Sequence, residues 1–111
     1  MKVVKESDFE YRGGDSGVKY LFRGPSIDWG VILLKPGEYM GDKPHGHNFL
    51  DETFFFIQGD GVMIVDDKEI AAPEGSAFLI EPKEMHNIRN NSDKPIKIIF
   101  IKGEYKPDDK I

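Results

Sequence analysis

Three histidines and one glutamate are the residues of this chain whose types and spacing suit metal chemistry. His45 and His47 are separated by a single residue, Glu52 lies five residues after His47, and His86 is the third and last histidine. Residues i and i+2 of a β-strand point to the same face, so two imidazoles on a strand can converge on one ion, whereas on a helix they would diverge by about 200°. Since the chain has no cysteine, any metal must be held by nitrogen and oxygen ligands.

Glu52 and His86 lie in segments where we expect burial. Glu52 opens the apolar run Glu52–Gln58, and His86 follows the apolar segment Ser76–Ile80. A buried, unpaired carboxylate costs several kcal/mol, and coordination to a cation is one of the few ways to recover that cost. The alternative is a protein whose imidazoles are satisfied by side-chain hydrogen bonds without any ion.

The elements that must position these residues are predicted to be strands. No stretch of ten or more residues has apolar positions at helical spacing, and glycines and prolines interrupt the whole chain. Many short strands at regular spacing are typical of an all-β sandwich or barrel of the jelly-roll kind. The predicted strands are Val18–Phe22, Trp29–Leu34, Thr53–Ile57, Val62–Val65, Ser76–Ile80 and Ile96–Ile101.

Three of these strands are apolar at both parities, namely Trp29–Leu34, Thr53–Ile57 and Ile96–Ile101. A strand with one wet face should alternate between apolar and polar residues. In a small barrel the inner face fills the core, so the apolar outer face needs another cover. A second copy of the chain is the simplest cover, and we therefore expect a homodimer.

Length and composition predict one domain and exclude two classes of partner. The 111 residues suit a single domain, with a core at about 18–102, an N-terminal strand and loop at 1–17, and a short tail at 103–111 that frays from Lys106 onward. The net charge of -5 gives no electrostatic reason to bind nucleic acid or an anionic membrane. No signal peptide or long apolar run is present, so a cytoplasmic location is the default expectation.

The pattern around the histidines resembles the two conserved motifs of the cupin superfamily. The first motif, a His-x-His followed by a glutamate and then a glycine, is matched by His45, His47, Glu52 and Gly59. The second, a glycine, a proline, a histidine and an asparagine, is similar to Gly75, Pro82, His86 and Asn90. Pro82 lies one place later than is usual, and Lys83 and Glu84 stand where the family has a glycine. The likeness covers roughly residues 29–101.

The resemblance implies a jelly-roll, or double-stranded β-helix, barrel with one divalent transition metal on His45, His47, Glu52 and His86. Iron, manganese, nickel, zinc, cobalt and copper all suit these ligands. If the ion is octahedral, two positions stay open for water, dioxygen or a chelating small molecule. The leading hypothesis is a metal-dependent enzyme acting on a small polar molecule, as a dioxygenase or as a Lewis-acid isomerase or lyase. The alternatives are a non-catalytic module that binds or senses a small molecule, and a purely structural barrel.

Residues that contact the substrate are harder to assign than the ligands. Phe54 and Phe56 share the parity of Glu52, Asn90 shares that of His86, and Met40 could line a pocket. Each has a plain structural alternative: core filling for the phenylalanines and the methionine, and a turn hydrogen bond for the asparagine. Tyr11, Tyr20, Tyr39 and Arg23 are further possible substrate contacts, and no general base is evident.

Overall fold

Eight antiparallel strands in two sheets make up the computed structural model, which describes residues 1–111. Strands β1 to β4 are Gly17–Arg23, Asp28–Leu34, Glu52–Gln58 and Gly61–Val65. Strands β5 to β8 are Lys68–Ala72, Ala77–Ile80, His86–Arg89 and Ile96–Lys102. One 3-10 turn at Glu6–Asp8 is the other regular element. The all-β prediction is therefore confirmed.

The strands are ordered β1-β2-β8-β3-β6 in the larger sheet and β5-β4-β7 in the smaller one. The core contains eleven fully buried apolar side chains contributed by strands of both sheets, among them Ile32, Phe54 and Phe100 from the larger sheet and Met63 and Ile88 from the smaller. The strand register places Glu52 directly opposite Lys102 of β8 and Ile80 of β6. Glu52 therefore lies in the last paired row of the sheet, at the edge of the core.

The N-terminal residues cover part of the outer face of the larger sheet. Lys97 on β8 donates to the Glu6 carboxylate at 2.8 Å, and Lys19 on β1 donates to the Glu6 carbonyl at 2.9 Å. Val31, which pairs with Lys19 across β1 and β2, is buried beneath this cover. The chain thus shields one end of its own apolar outer face, which the sequence alone assigned to a partner copy.

The other end of that outer face is open. Four large apolar side chains on β3, β6 and β8 are between 39% and 60% exposed: Phe55, Ile57, Leu79 and Ile101. They form one surface, because Thr53 pairs with both Leu79 and Ile101 in the register of the sheet and Phe55 is two residues along the same strand. We call these four residues the outer apolar patch.

No helix of the structure is long and apolar enough to cross a bilayer.

Candidate metal centre

The fold brings His45, His47, Glu52 and His86 together at one end of the core. Glu52 is the first residue of β3 and His86 the first of β7, so the two sheets each contribute a residue. His45 forms an isolated antiparallel bridge with His86, donating to its carbonyl at 3.0 Å and accepting from its N–H at 2.7 Å. One potential ligand atom from each of the four residues lies within 4.8 Å of all the others. The four predicted ligands therefore share one site.

The Glu52 carboxylate lies at the centre of this cluster. Its Oε1 is 3.1 Å from Nε2 of His47, 3.1 Å from Nε2 of His86 and 4.0 Å from Nε2 of His45. The Glu52 residue is 4% exposed and His86 is 0% exposed, while the His45 side chain keeps 20% of its surface open. A carboxylate this deeply buried requires positive charge or several hydrogen bonds close by.

Backbone carbonyls set the tautomers of two imidazoles. Nδ1 of His47 hydrogen-bonds to the Asp109 carbonyl, and Nδ1 of His86 lies 3.3 Å from the Glu84 carbonyl. Since a carbonyl only accepts hydrogen bonds, Nδ1 of each ring carries a proton. The Nε2 atom of each ring, which faces Glu52, then presents either a lone pair or a second N–H group. Two lone pairs aimed at one carboxylate oxygen repel it. Either extra protons or a cation must therefore lie between these rings and Glu52.

Two of the four residues, His45 and Glu52, have ionisation states at neutral pH that suit a cation. Burial, followed by the electrostatic interaction with His86, lowers the pKa of His45 to about 3, so this imidazole is neutral and its lone pair is available. Burial alone would raise the pKa of Glu52, but the hydrogen bonds from His47 and His86 outweigh it and lower that pKa to about 2. The hydrogen bond to Glu52 raises the pKa of His47. An anionic carboxylate next to a neutral imidazole is a usable pair of ligands.

Comparison with known proteins adds the family to this geometry. The family model described as "Cupin domain" matches residues 30–102, which include the whole four-residue cluster. The chain belongs to this family. The resemblance found in the two sequence motifs is thereby confirmed.

Two proteins of related sequence illustrate the range of this cupin's relatives. It is 31% identical over 55 residues to Uncharacterized protein MJ1618 of Methanocaldococcus jannaschii, covering 50% of the chain and 44% of that protein. It is 30% identical over 71 residues to Tetracenomycin polyketide synthase protein TcmJ of Streptomyces glaucescens, covering 64% of the chain and 46% of that protein. The chain thus spans less than half the length of both relatives.

A solved structure shows the same fold over nearly the whole chain. A conserved protein with a double-stranded β-helix domain from Klebsiella pneumoniae superposes with a TM-score of 0.79, covering 96% of this cupin and 92% of that chain. The two sequences are 13% identical, so the likeness concerns the fold alone. It confirms the predicted double-stranded β-helix barrel.

The C-terminal residues of this cupin are docked on the cluster, and the prediction of a frayed tail from Lys106 onward is wrong. The Asp109 carboxylate accepts hydrogen bonds from the backbone N–H groups of Asn48, Phe49 and Leu50 at 2.8 to 3.0 Å. Ile111 pairs with Gly46 through two backbone hydrogen bonds, of 2.8 and 3.1 Å. Together with the contact of the Asp109 carbonyl to His47, these bonds hold residues 106–111 against the His45–His47 segment. We call residues 106–111 the C-terminal strap.

Gly46, between the two histidines, lies too close to its surroundings for a side chain. A Cβ built there would lie 2.9 Å from the Glu84 carbonyl oxygen and 2.9 Å from Sδ of Met85. The close approach lets the extended His45–His47 segment run beside the residues that lead into β7. The sequence predicts that these two histidines lie on a strand; in the structure His45 forms a single bridge, and His47 belongs to none of the eight strands.

A cavity of about 750 Å³ opens on the cluster, and His45, His47 and Glu52 form part of its wall. Of the four predicted pocket residues, the structure places Met40 on this wall. Phe54 and Phe56 are fully buried in the core, where Phe54 packs against the His86 ring with centroids 5.4 Å apart. The cavity wall does not include Asn90. Its amide donates to the carbonyls of Leu34 and Lys94, which agrees with the structural alternative of a turn hydrogen bond.

Two residues that were not predicted from the sequence, Lys102 and Asp109, lie next to the site. Lys102 lines the cavity and is paired with Glu52 across β3 and β8. Asp109 supports His47 through its carbonyl and residues 48–50 through its carboxylate. Lys102 shares the parity of the buried Ile98 and Phe100 on β8, which is a signal that could have identified it, whereas nothing local marks Asp109.

Proposed function

We propose that His45, His47, Glu52 and His86 bind one divalent transition metal ion and that this cupin is a metal-dependent enzyme acting on a small polar molecule. The observation that carries the proposal is the pair of Nε2 atoms, of His47 and His86, at 3.1 Å from one Glu52 oxygen while backbone carbonyls hold the opposite ring nitrogens. Hydrogen-bonded outer nitrogens that orient the inner ones are the usual support of metal-binding histidines.

A bound ion would supply Lewis acidity or, if it is redox-active, activation of dioxygen. Nitrogen and carboxylate ligands suit iron, manganese, nickel, cobalt, copper and zinc, so the donor set favours no single one of them. The cavity provides room for a small molecule beside the cluster, and buried walls strengthen the electrostatic forces there. Oxygen uptake by protein loaded with each metal in turn separates an oxygenase from an isomerase or lyase, which turns over without oxygen.

The second candidate is a non-catalytic module that binds a small molecule. The same cavity and the same four residues support it, since a site of this size suits a ligand whether or not a reaction follows. Ligand binding without turnover under any metal would favour this candidate over the enzyme.

The C-terminal strap is expected to strengthen metal binding through His47. In Asp109→Ala the three hydrogen bonds to residues 48–50 are lost, and the carbonyl that orients the His47 ring is freed to move. Loss of such a supporting partner lowers metal affinity by about 10- to 100-fold. Competition with a fluorescent chelator measures this affinity. Asp108→Ala is the matched control, because Asp108 is exposed; equal affinities of the two variants would contradict the assigned role.

Self-association is predicted to use the outer apolar patch. Its four side chains lie on neighbouring strands and are large enough to form the centre of an interface. Wild-type protein is expected to be a dimer in light scattering at micromolar concentration. Leu79→Lys, at the most exposed patch residue, is expected to give monomers, whereas Ile70→Lys on β5 of the other sheet is expected to leave the dimer intact. A monomeric wild type would overturn the prediction.

A further inference from the structure

The wall of the cavity beside the cluster is basic, although the protein as a whole has a net charge of -5. Six positively charged side chains line it: Arg12, Arg23, Lys43, Lys102, Lys106 and Lys110. Three carboxylates share the wall, those of Asp42, Glu52 and Asp109. Glu52 is already engaged by imidazoles, and Asp109 by three backbone N–H groups. The charge of the cavity is thus opposite in sign to that of the molecule.

None of these six cations has a carboxylate oxygen within the 4.0 Å of an ion pair. The lysines and arginines that do form ion pairs lie elsewhere: Lys35 with Asp15, Arg89 with Glu69 and Lys97 with Glu6. Several cations outside the cavity are therefore paired with carboxylates, whereas the six inside it have no carboxylate partner. Unpaired cations around a concave site favour an anionic ligand, because field lines are concentrated there.

Two of the cations converge on Tyr20, a residue of the cavity wall. Lys102 donates to the Tyr20 hydroxyl at 2.7 Å, and the Arg23 guanidinium lies 4.2 Å from the centre of the Tyr20 ring. Lys102 is also the direct cross-strand neighbour of Glu52, and such neighbours have Cα atoms about 5 Å apart. A group bound by Lys102 and Arg23 therefore lies within a few side-chain lengths of the four-residue cluster.

A buried carboxylate, that of Asp28, lies in the same register row as these two cations. Asp28 is 1% exposed and is the register partner of both Arg23 on β1 and Lys102 on β8. Its Oδ1 has no hydrogen-bond partner, and neither cation lies within ion-pair distance of it. Asp28 does not line the cavity, so it does not compete with a ligand for Arg23 and Lys102 there.

We propose that the cavity binds a small organic anion whose carboxylate or phosphate group lies on Lys102 and Arg23, with the remainder of the molecule directed toward the His45, His47, Glu52 and His86 cluster. The Tyr20 hydroxyl provides a further polar contact at the same place. The proposal names the substrate class of the proposed enzyme. Its second half, that the remainder of the anion is directed toward the cluster, rests on the proposed function. The anion site itself consists of protein side chains and exists without the metal.

Calorimetric titration tests the proposal, with malonate, inorganic phosphate and the neutral analogue malonamide as probes. Each is titrated into metal-free and Zn²⁺-loaded protein, in wild type and in the variants Lys102→Gln and Arg23→Gln. Lys68→Gln is the matched control, because Lys68 is exposed on β5 and lies outside the cavity. Thermal unfolding and metal content are recorded on the same samples.

Wild type and Lys68→Gln are expected to bind malonate or phosphate in both metal states, and malonamide at least about 10-fold more weakly, since a charge-assisted hydrogen bond contributes about one order of magnitude or more. Lys102→Gln and Arg23→Gln are each expected to weaken anion binding by about 10-fold while keeping the unfolding temperature. Preference for phosphate or for malonate identifies the acidic group. Equal affinity of these variants and wild type would mean that the ion alone holds the anion, and would overturn the proposal.

Equal binding of malonamide, or no binding of either anion, would also overturn it. Failure to take up metal would contradict the proposed enzyme instead, since the metal-free titrations still report on Lys102 and Arg23.

Discussion

Glu52→Gln is expected to lower the affinity of the protein for a divalent metal by about 100-fold or more. The binding free energy of a four-ligand zinc site is about 10–16 kcal/mol, so one ligand contributes about 3 kcal/mol, which is about two orders of magnitude in affinity. Glutamine has nearly the same shape as glutamate but brings no negative charge. The central position of Glu52 Oε1, at 3.1 Å from two imidazoles, makes this substitution the most damaging isosteric change in the cluster.

The variant should still fold, because a neutral amide at this buried position costs less to desolvate than a carboxylate. Competition with a chelator of known affinity gives the dissociation constants, and circular dichroism of the metal-free forms verifies the fold. Glu10→Gln is the matched control, since Glu10 is an exposed residue of the N-terminal segment. If the metal affinities of Glu52→Gln and Glu10→Gln agreed within a factor of about two, Glu52 would not be a ligand.

His86→Ala is expected to abolish metal binding and also to lower the free energy of unfolding of the metal-free protein by about 3–5 kcal/mol, the usual cost of leaving a buried carboxylate without one of its partners. The His86 side chain is 0% exposed, hydrogen-bonds to Glu52 at 3.1 Å and packs on the Phe54 ring. Its truncation leaves both a poorly compensated carboxylate and a cavity. Since small proteins are stable by about 5–15 kcal/mol, the loss is a large share of the total.

His45→Ala separates the two effects of that substitution. The His45 ring is 20% exposed and its Nε2 is 4.0 Å from Glu52, so its truncation should cost about 1 kcal/mol, as for an average substitution, while still removing one ligand. Urea unfolding in the presence of a chelator measures the stabilities. Equal destabilisation by the two alanine variants would contradict the assignment of His86 as the buried partner of Glu52.

Local sequence patterns were sufficient to predict the strands with apolar runs. Six of the eight, including β2 at Asp28–Leu34 and β8 at Ile96–Lys102, were predicted with ends that agree to within one residue. The two that were missed, β5 at Lys68–Ala72 and β7 at His86–Arg89, are short, contain a single large apolar residue each and begin with polar residues. In β7 the polar residues have a tertiary cause. The buried Asn87 side chain accepts a hydrogen bond from the Gly41 N–H and donates one to the Gly41 carbonyl.

The four-residue cluster was predictable because its spacing has a geometric meaning on strands, whereas its surroundings were not. The Asp109 carboxylate finds its three N–H partners about 60 residues earlier in the chain, and no local pattern indicates such a contact. The basic cavity wall likewise combines side chains from separate segments, including Arg12, Arg23 and Lys102. Their common location becomes visible only when the strand register is known.

The central claim is tested most directly by equilibrium dialysis of metal-free protein against each of the six candidate metals, followed by elemental analysis. We expect one ion per chain for at least one metal, with a dissociation constant of about 1 µM or below, which corresponds to about 8 kcal/mol of binding free energy. Glu52→Gln dialysed beside it should retain almost none at the same concentration. Wild-type protein that takes up none of the six metals, or a Glu52→Gln variant that retains as much as wild type, would contradict the assignment of this cluster as a metal site.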